Sequence, residues 1–369
     1  MAVQVSTIIK EINIWAPLSW AEDWDNVGLQ VGRNDKNVKK ALLALTPGAD
    51  VIAKAIEDNY DCVITHHPLI FKALKQITDQ SVDGRKVLAL AQHDVALMSF
   101  HTNLDIAFGG VNDVLAEAIG LENISPFVIT GKEKYYKLVV YVPDGYEEKV
   151  REAICANGAG WIGKYSDCSF RCQGKGTFKP LEGTKPFLGE INNIHKADEW
   201  RLETIVPAGR LNNVIAAMLK AHPYEEAAYD VFEQALSAKE RSIGRVGEIA
   251  QECTLKEFLA RVAKSTGAEN LSYSGNLNRK LKKAALCGGS GCSYLTEAKK
   301  IGADVYLTGD VKFHDFQLAK ELDIALIDGG HFHTEHLIVE KMKQYLQEKF
   351  PEVVFDLYNE QDFRLFFQE

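Results

Sequence analysis

Three short stretches of this 369-residue chain set imidazoles and carboxylates just past apolar, β-prone runs. His66-His67 follows Cys62-Val63-Ile64-Thr65, and His101-Thr102-Asn103-Leu104-Asp105 follows Val95-Ala96-Leu97-Met98. His331-Phe332-His333-Thr334-Glu335 follows Ile324-Ala325-Leu326-Ile327. Side chains at the carboxyl ends of parallel strands point into the crevice where open α/β sheets bind ligands. Two adjacent histidines on a strand would face opposite ways, but past its end, in a turn, both can face one cleft. The expected ligands are His66, His67, Asp105, His331 and Glu335, with Glu335 bridging two ions rather than serving one. Two-metal hydrolytic sites hold their ions roughly 3.5–4 Å apart. Mixed histidine and carboxylate donors suit zinc, iron or manganese and do not choose among them.

Around this set stand residues with two open readings each. His101 is either a proton carrier beside the metals or a structural histidine, and His333 and His336 are weaker candidates still. Asp310 and His314 either line the cleft or cap a helix. Gly288-Gly289-Ser290-Gly291 could cradle an anion with backbone N–H groups, but a tight structural turn is the favoured reading. His222-Pro223-Tyr224-Glu225-Glu226 resembles a small ligand cluster yet fits a turn or an interface better. Cys168/Cys172 and Cys287/Cys292 could chelate, but neither pair has C-x-x-C spacing, and the seven cysteines read as free thiols.

Composition bounds the remaining possibilities. The length allows two or three domains. A 46% hydrophobic and 25% charged balance is that of an ordinary globular chain. A net charge of −9 argues against broad nucleic-acid binding, which needs a basic surface. No apolar run is long enough to span a membrane, and the first residues lack a signal peptide's basic and apolar regions, so a cytoplasmic address is expected.

The elements that must position the cluster alternate. Strands are expected at Lys39–Leu45, Asp61–Thr65 and Val95–Phe100, with helices at Ala49–Asp58, Lys86–His93 and Asn112–Ile119. This pattern argues for a mainly parallel sheet. It resumes with strands Lys282–Leu286, Val305–Thr308 and Ile324–Ile327. Thr334 is the expected N-cap of the helix that follows. Asp94-Val95-Ala96-Leu97 echoes Asp323-Ile324-Ala325-Leu326, and Asp61-Cys62-Val63-Ile64-Thr65 echoes Asp304-Val305-Tyr306-Leu307-Thr308. The expected fold class is therefore α/β, with two pseudo-repeated halves forming one core. Between them, a β-α-β…β-α-β order predicts an inserted ferredoxin-like α+β domain, with Gly174 to Lys185 as hairpins and loops. The expected divisions are residues 1–130, 131–238 and 239–369, the last boundary near Ser237-Ala238-Lys239.

Several stretches resemble the Ngg-interacting-factor-three-like family, also called GTP cyclohydrolase 1 type 2 homologues or dinuclear metal centre proteins. They are Trp24-Asp25-Asn26-Val27-Gly28-Leu29, Thr65-His66-His67-Pro68-Leu69-Ile70-Phe71, His101 through Asp105, Gly110-Val111-Asn112-Asp113, Thr308-Gly309-Asp310 and Gly330-His331 through Glu335. The resemblance places the family's metal ligands on the same five residues. It implies a P-II/CutA-like insert and a ring-shaped homohexamer with metal sites facing an internal cavity. The family usually carries Leu-Asp-Val-Thr where this chain has Leu43-Ala44-Leu45-Thr46, so an Asp is lost near the first strand end. The expected function is a dinuclear metal-dependent hydrolase acting on GTP or another nucleotide, with His101 moving a proton. The other reading is a regulatory or metal-handling protein whose insert senses a small ligand or binds a partner.

Overall fold

The computed structural model describes residues 3–163, 165–235 and 240–364. The expected boundary at Ser237-Ala238-Lys239 lies outside them. The chain forms two compact units, Met1–Thr130 with Arg241–Glu369, and Gly131–Glu240.

The first unit contains two larger sheets. One runs in the order Val354–Leu357, Lys40–Ala44, Cys62–Thr65, Ala96–Ser99, Gly28–Val31. Its first four strands are parallel and the last is antiparallel. Strands covered on both faces read as continuous apolar runs, because alternate residues enter two cores. Ala41, Leu43, Cys62, Ile64, Ala96 and Met98 join Ile8, Ile12, Ile338 and Met342 on one side. Leu42, Ala44, Val63 and Leu97 join Val51, Ile52, Ala55 and Leu90 on the other.

The other sheet runs Ser272–Ser274, Ala325–Asp328, Val305–Thr308, Lys280–Leu286, Glu240–Thr254, Leu121–Lys132. Its parallel centre is built the same way. Leu286, Val305, Leu307, Ala325 and Ile327 pack with Phe258 and Val262. Ala285, Tyr306 and Leu326 pack with Leu295, Ala298 and Ala319. Small details recur between the two sheets. Asp61 Oδ2 accepts from Lys39 N and Lys40 N at 2.7 and 3.0 Å, and Asp304 Oδ2 accepts from Lys282 N and Lys283 N at 2.8 and 3.0 Å. Asp94 and Asp323, each just before a strand, both hold a left-handed backbone, at φ 51° and 49°.

In the second unit the elements follow the order β-α-β-β-α-β. Its antiparallel sheet runs Tyr229–Glu233, Tyr135–Pro143, His195–Pro207, Ser169–Phe178. Helices Glu147–Ala156 and Leu211–Ala221 bury Val150, Ile154, Val214 and Met218 against Leu138, Val140, Leu202 and Val206.

One local expectation is refined and another corrected. Gly174–Phe178 is the end of strand Ser169–Phe178, which pairs antiparallel with the next strand, and the strand starts five residues before the expected hairpins and loops. That strand lies at the sheet edge and is exposed along most of its length, so it carries no alternating apolar signal. Thr334 does not cap the last long helix, whose N-cap is His336. Thr334 lies inside the short helix His331–Glu335 and donates its hydroxyl to Gly330 O at 2.8 Å.

Arg245 is 1% exposed and fully engaged. Its Nε and Nη2 donate to the two carboxylate oxygens of Asp113, each at 2.7 Å. Nη1 donates to Gly244 O at 2.8 Å and Nη2 also to Ala107 O at 3.1 Å. This fastens strand Glu240–Thr254 to the turn that follows Asp105. Removing one partner of a buried ion pair strands the other charge and costs about 3–5 kcal/mol. Urea unfolding of Arg245→Ala should show a loss of that size. A loss under about 1 kcal/mol would show that the pair is not a structural fastener.

Candidate metal centre

The three strand ends deliver their side chains to one place. His66 and His67 follow strand Cys62–Thr65, and the His67 backbone N–H donates to Leu45 O at 2.8 Å. Asp105 lies on helix Thr102–Ile106, after strand Ala96–Ser99. Its own carbonyl accepts from Asn112 Nδ2 at 2.9 Å, and Asn112 Oδ1 accepts from Gly288 N at 2.8 Å. His331 and Glu335 are four residues apart on helix His331–Glu335, which begins after strand Ala325–Asp328 at Gly330, φ 80°.

Glu335 Oε2 is the meeting point. It lies 2.9 Å from His67 Nε2, 3.0 Å from His331 Nε2 and 3.9 Å from His66 Nε2. His66 Nε2 stands 3.6 Å from Asp105 Oδ1. Within each of the sets His66/Asp105/Glu335, His67/His331/Glu335 and His66/His67/His101, one potential donor atom per residue lies within 4.8 Å of the others.

The outer ring nitrogens are all engaged. His66 Nδ1 donates to Phe100 O at 2.9 Å, since a carbonyl can only accept. His331 Nδ1 meets Asp310 Oδ2 at 2.7 Å, His101 Nδ1 meets Asp25 Oδ1 at 3.0 Å, and His67 Nδ1 pairs with Thr46 Oγ1 at 2.9 Å. Holding Nδ1 in this way fixes the ring and leaves Nε2 for a ligand, the usual outer arrangement of metal-binding histidines.

The donor set fits a divalent cation. His66 Nε2 and Asp105 Oδ1 are buried with no hydrogen-bond partner among the described residues. Two donors on one tetrahedral ion with bonds near 2.1 Å stand roughly 3.4 Å apart, close to their 3.6 Å. Electrostatics agree. Burial lowers His66 to about 3, so its ring is neutral and can ligate. Burial also pushes the Asp105 carboxyl up, and the Glu335 charge pushes it further. Burial opposes the charge on Glu335, but hydrogen bonds from His331 and His67 outweigh it and hold the carboxyl well below the usual range. His331 reaches about 9 because Glu335 and Asp310 together overcome its desolvation, so it would have to release a proton to ligate an ion. Burial likewise opposes ionisation of Asp25, yet hydrogen bonds from His101 and Thr102 bring it down to about 2. A cation between Asp105 and Glu335 would relieve the repulsion that disfavours ionised Asp105.

All five expected ligands and His101 therefore converge. Asp310 is not among the residues lining the cavity and instead holds His331 Nδ1. His314 is exposed on helix Phe313–Glu321 and stands apart. His333 and His336 turn their Nδ1 atoms to Thr266 O and Phe332 O and join none of these sets. The N–H groups of Gly288, Gly289 and Gly291 are spent on Asn112 Oδ1, Thr334 Oγ1 and Thr308 Oγ1, so that stretch is a structural turn. In the second unit His222 is satisfied locally, donating to Tyr141 O and accepting from Tyr224 N. All seven cysteines are free, and none joins a ligand group among the described residues.

Sequence reasoning missed three supporting residues. Asp25 orients His101, and Thr46 orients His67. Glu360 Oε2 accepts from Leu45 N at 2.7 Å and Thr46 N at 3.3 Å. A carboxylate thus does stand at the end of strand Lys40–Ala44, contributed by the C-terminal segment rather than by position 44. The Trp24-Asp25-Asn26 stretch was the available signal for Asp25; nothing local marks Glu360.

The centre opens into a cavity of about 550 Å³, whose walls include Trp24, Phe71, Tyr294 and Ile243. A larger hollow of about 960 Å³, lined in part by Arg279, Phe313 and Lys320, shares no lining residue with it.

Fold and site define an α/β protein with a buried imidazole–carboxylate centre that could hold metal. The chain belongs to the Duf34/NIF3 (NGG1p interacting factor 3) family, which matches residues 3–361. It is similar to a Bacillus subtilis (strain 168) protein named GTP cyclohydrolase 1 type 2 homolog, 42% identical over 331 residues, covering 90% of this chain and 89% of that one. A Halalkalibacterium halodurans protein of the same name is 40% identical over 351 residues, covering 95% and 93%. Among solved structures, a Bacillus cereus protein related to NIF3 matches with a TM-score of 0.83 at 36% identity, covering 100% of both chains. No helix among the described residues is long and apolar enough to cross a membrane.

Gly289 makes room for the central carboxylate. A Cβ there would stand 2.1 Å from Glu335 Oε1, and φ is +60°. Gly289→Ala should displace Glu335 and add about 1–2 kcal/mol of backbone strain. A crystal structure of the variant should show Oε2 withdrawn from His67 and His331. An unmoved carboxylate would refute this role for the glycine.

Proposed function

We propose that the chain is a dinuclear metal-dependent hydrolase. One ion would be held by His66, Asp105 and Glu335, and the other by His67, His331 and Glu335. The observation that carries this reading is the pairing of occupied Nδ1 atoms with inward Nε2 atoms around Glu335, beside two buried donors lacking any hydrogen-bond partner among the described residues. Zinc, iron and manganese all suit these donors. Bound there, such ions activate water and stabilise negative charge developing on a substrate.

The chain's own residues supply the rest. His101, fixed by Asp25, is placed to hold or move a proton next to His66 and His67. Asp310 and Thr46 keep His331 and His67 in register. The name shared by the relatives supports GTP or another nucleotide as substrate.

The same proposal covers the architecture. The recurring Asp61 and Asp304 contacts support reading residues 1–130 and 239–369 as two copies of one α/β half. The β-α-β-β-α-β order supports reading 131–238 as a ferredoxin-like insert. Assembly as a cytoplasmic homohexamer belongs to this reading too, and light scattering of the purified protein tests the assembly.

Elemental mass spectrometry of reconstituted protein tests the centre. Wild type should carry about two ions per chain. His66→Ala and His331→Ala should each lose one, Glu335→Ala both, and hydrolysis of a nucleotide panel should fall with them. Wild type that stays empty would overturn the proposal.

A further inference from the structure

The two largest apolar side chains at the mouth of the centre are exposed. Trp24 is 57% and Phe71 49% accessible. Their rings lie 5.6 Å apart at 56°, and Trp24 also meets the His101 ring edge-on at 6.0 Å. Half-exposed aromatics at a polar centre leave apolar surface in water that a planar ligand would cover.

The pair is held rather than loose. Asn26 Nδ2 donates to Ile70 O at 2.6 Å, Ile70 N donates to Gln30 Oε1 at 2.8 Å, and Gln30 Nε2 donates back to Asn26 O at 2.6 Å. These bonds tie the turn carrying Trp24 to the turn carrying Phe71. On the other side Asp25 accepts from Thr102 N, and Glu22 N donates to Thr102 Oγ1. The turns carrying the two aromatics are thereby tied to each other and to the helix that bears Asp105, as a preorganised binding face requires.

The groups lining this cavity are mixed, with the imidazoles of His67, His101 and His331 facing carboxylates. Among the described residues that line it, Glu22, Asp105 and Glu335 carry carboxylates and none is lysine or arginine. Polyphosphates are ordinarily gripped by arginine forks, lysines, free backbone N–H groups or bound metal ions. Here the N–H groups of Gly288, Gly289 and Gly291 are already spent within the protein, which leaves any phosphate to the ions of the proposed centre.

We infer that the Trp24–Phe71 pair is the recognition surface of this centre, and that the part of the substrate it selects is a planar nitrogen heterocycle. This rests on the metal-centre reading and narrows its substrate class. A heterocycle stacks on Trp24, Glu22 offers an acceptor for ring N–H groups, and the reacting atom faces the metals. Nucleosides, which carry the heterocycle and no phosphate, should bind.

The test is calorimetric titration of the metal-loaded full chain with four nucleosides (guanosine, adenosine, cytidine, uridine) and their triphosphates, with metal content measured on the same samples. At least one nucleoside should bind measurably without its phosphates. Trp24→Ala should weaken that binding at least about fivefold, from lost stacking, and Trp24→Phe should restore most of it, all with metal content unchanged. Three results would overturn the inference: triphosphates binding where nucleosides do not, Trp24→Ala with unaltered affinity, or no nucleoside binding to fully loaded protein. Wild type that takes up no metal would instead count against the centre itself.

Discussion

A carboxylate taken out of water must be met by charge or by hydrogen bonds, or its burial costs several kcal/mol. Glu335 is 4% exposed and is met by imidazoles brought from two sheets: His67 from one and His331 from the other. Everything near it serves that encounter. Gly289 lacks the side chain that would block it, Thr334 ties the short helix to the Gly288–Gly291 turn, and Asn112 joins the Asp105 backbone to the same turn. Arg245 and Asp113 then fasten the segment after Asp105 to the second sheet. The cores surrounding the two sheets give these strand ends a rigid base, because each central strand is packed on both faces.

The centre is locally unfavourable in the way functional sites often are. Unpartnered donors at His66 and Asp105, an acid pushed away from ionisation and clustered imidazoles all count against the folded chain without a cation. Such an arrangement survives because the large apolar cores outweigh it, and because Nδ1 contacts keep each ring from turning to a better local partner. Binding energy from an ion would then appear directly as added stability.

The candidate ligands were legible as a cluster because position after a strand is a local property. An apolar β-prone run followed by histidine or carboxylate needs no knowledge of the rest of the chain. The central parallel strands and their helices were legible for the same reason, with ends differing by one to a few residues. The supporting residues obey no such rule. Asp25 reaches His101 across 76 positions and Glu360 reaches Leu45 across 315, so only the folded chain makes them neighbours. The exposed edge strand Ser169–Phe178 was hidden because it has no buried face to impose alternation. Thr334 was misjudged because its hydroxyl serves both Gly330 and Gly289, a tertiary contact that a capping rule cannot anticipate.

The central claim is that two ions share Glu335. Anomalous diffraction from crystals of metal-reconstituted protein, collected at the absorption edge of the added metal, tests it most directly. The account predicts two peaks roughly 3.5–4 Å apart, one beside His66 and Asp105, the other beside His67 and His331, with Glu335 between them. A single peak away from Glu335, or no peak at the cluster in crystals that carry metal elsewhere, would contradict it.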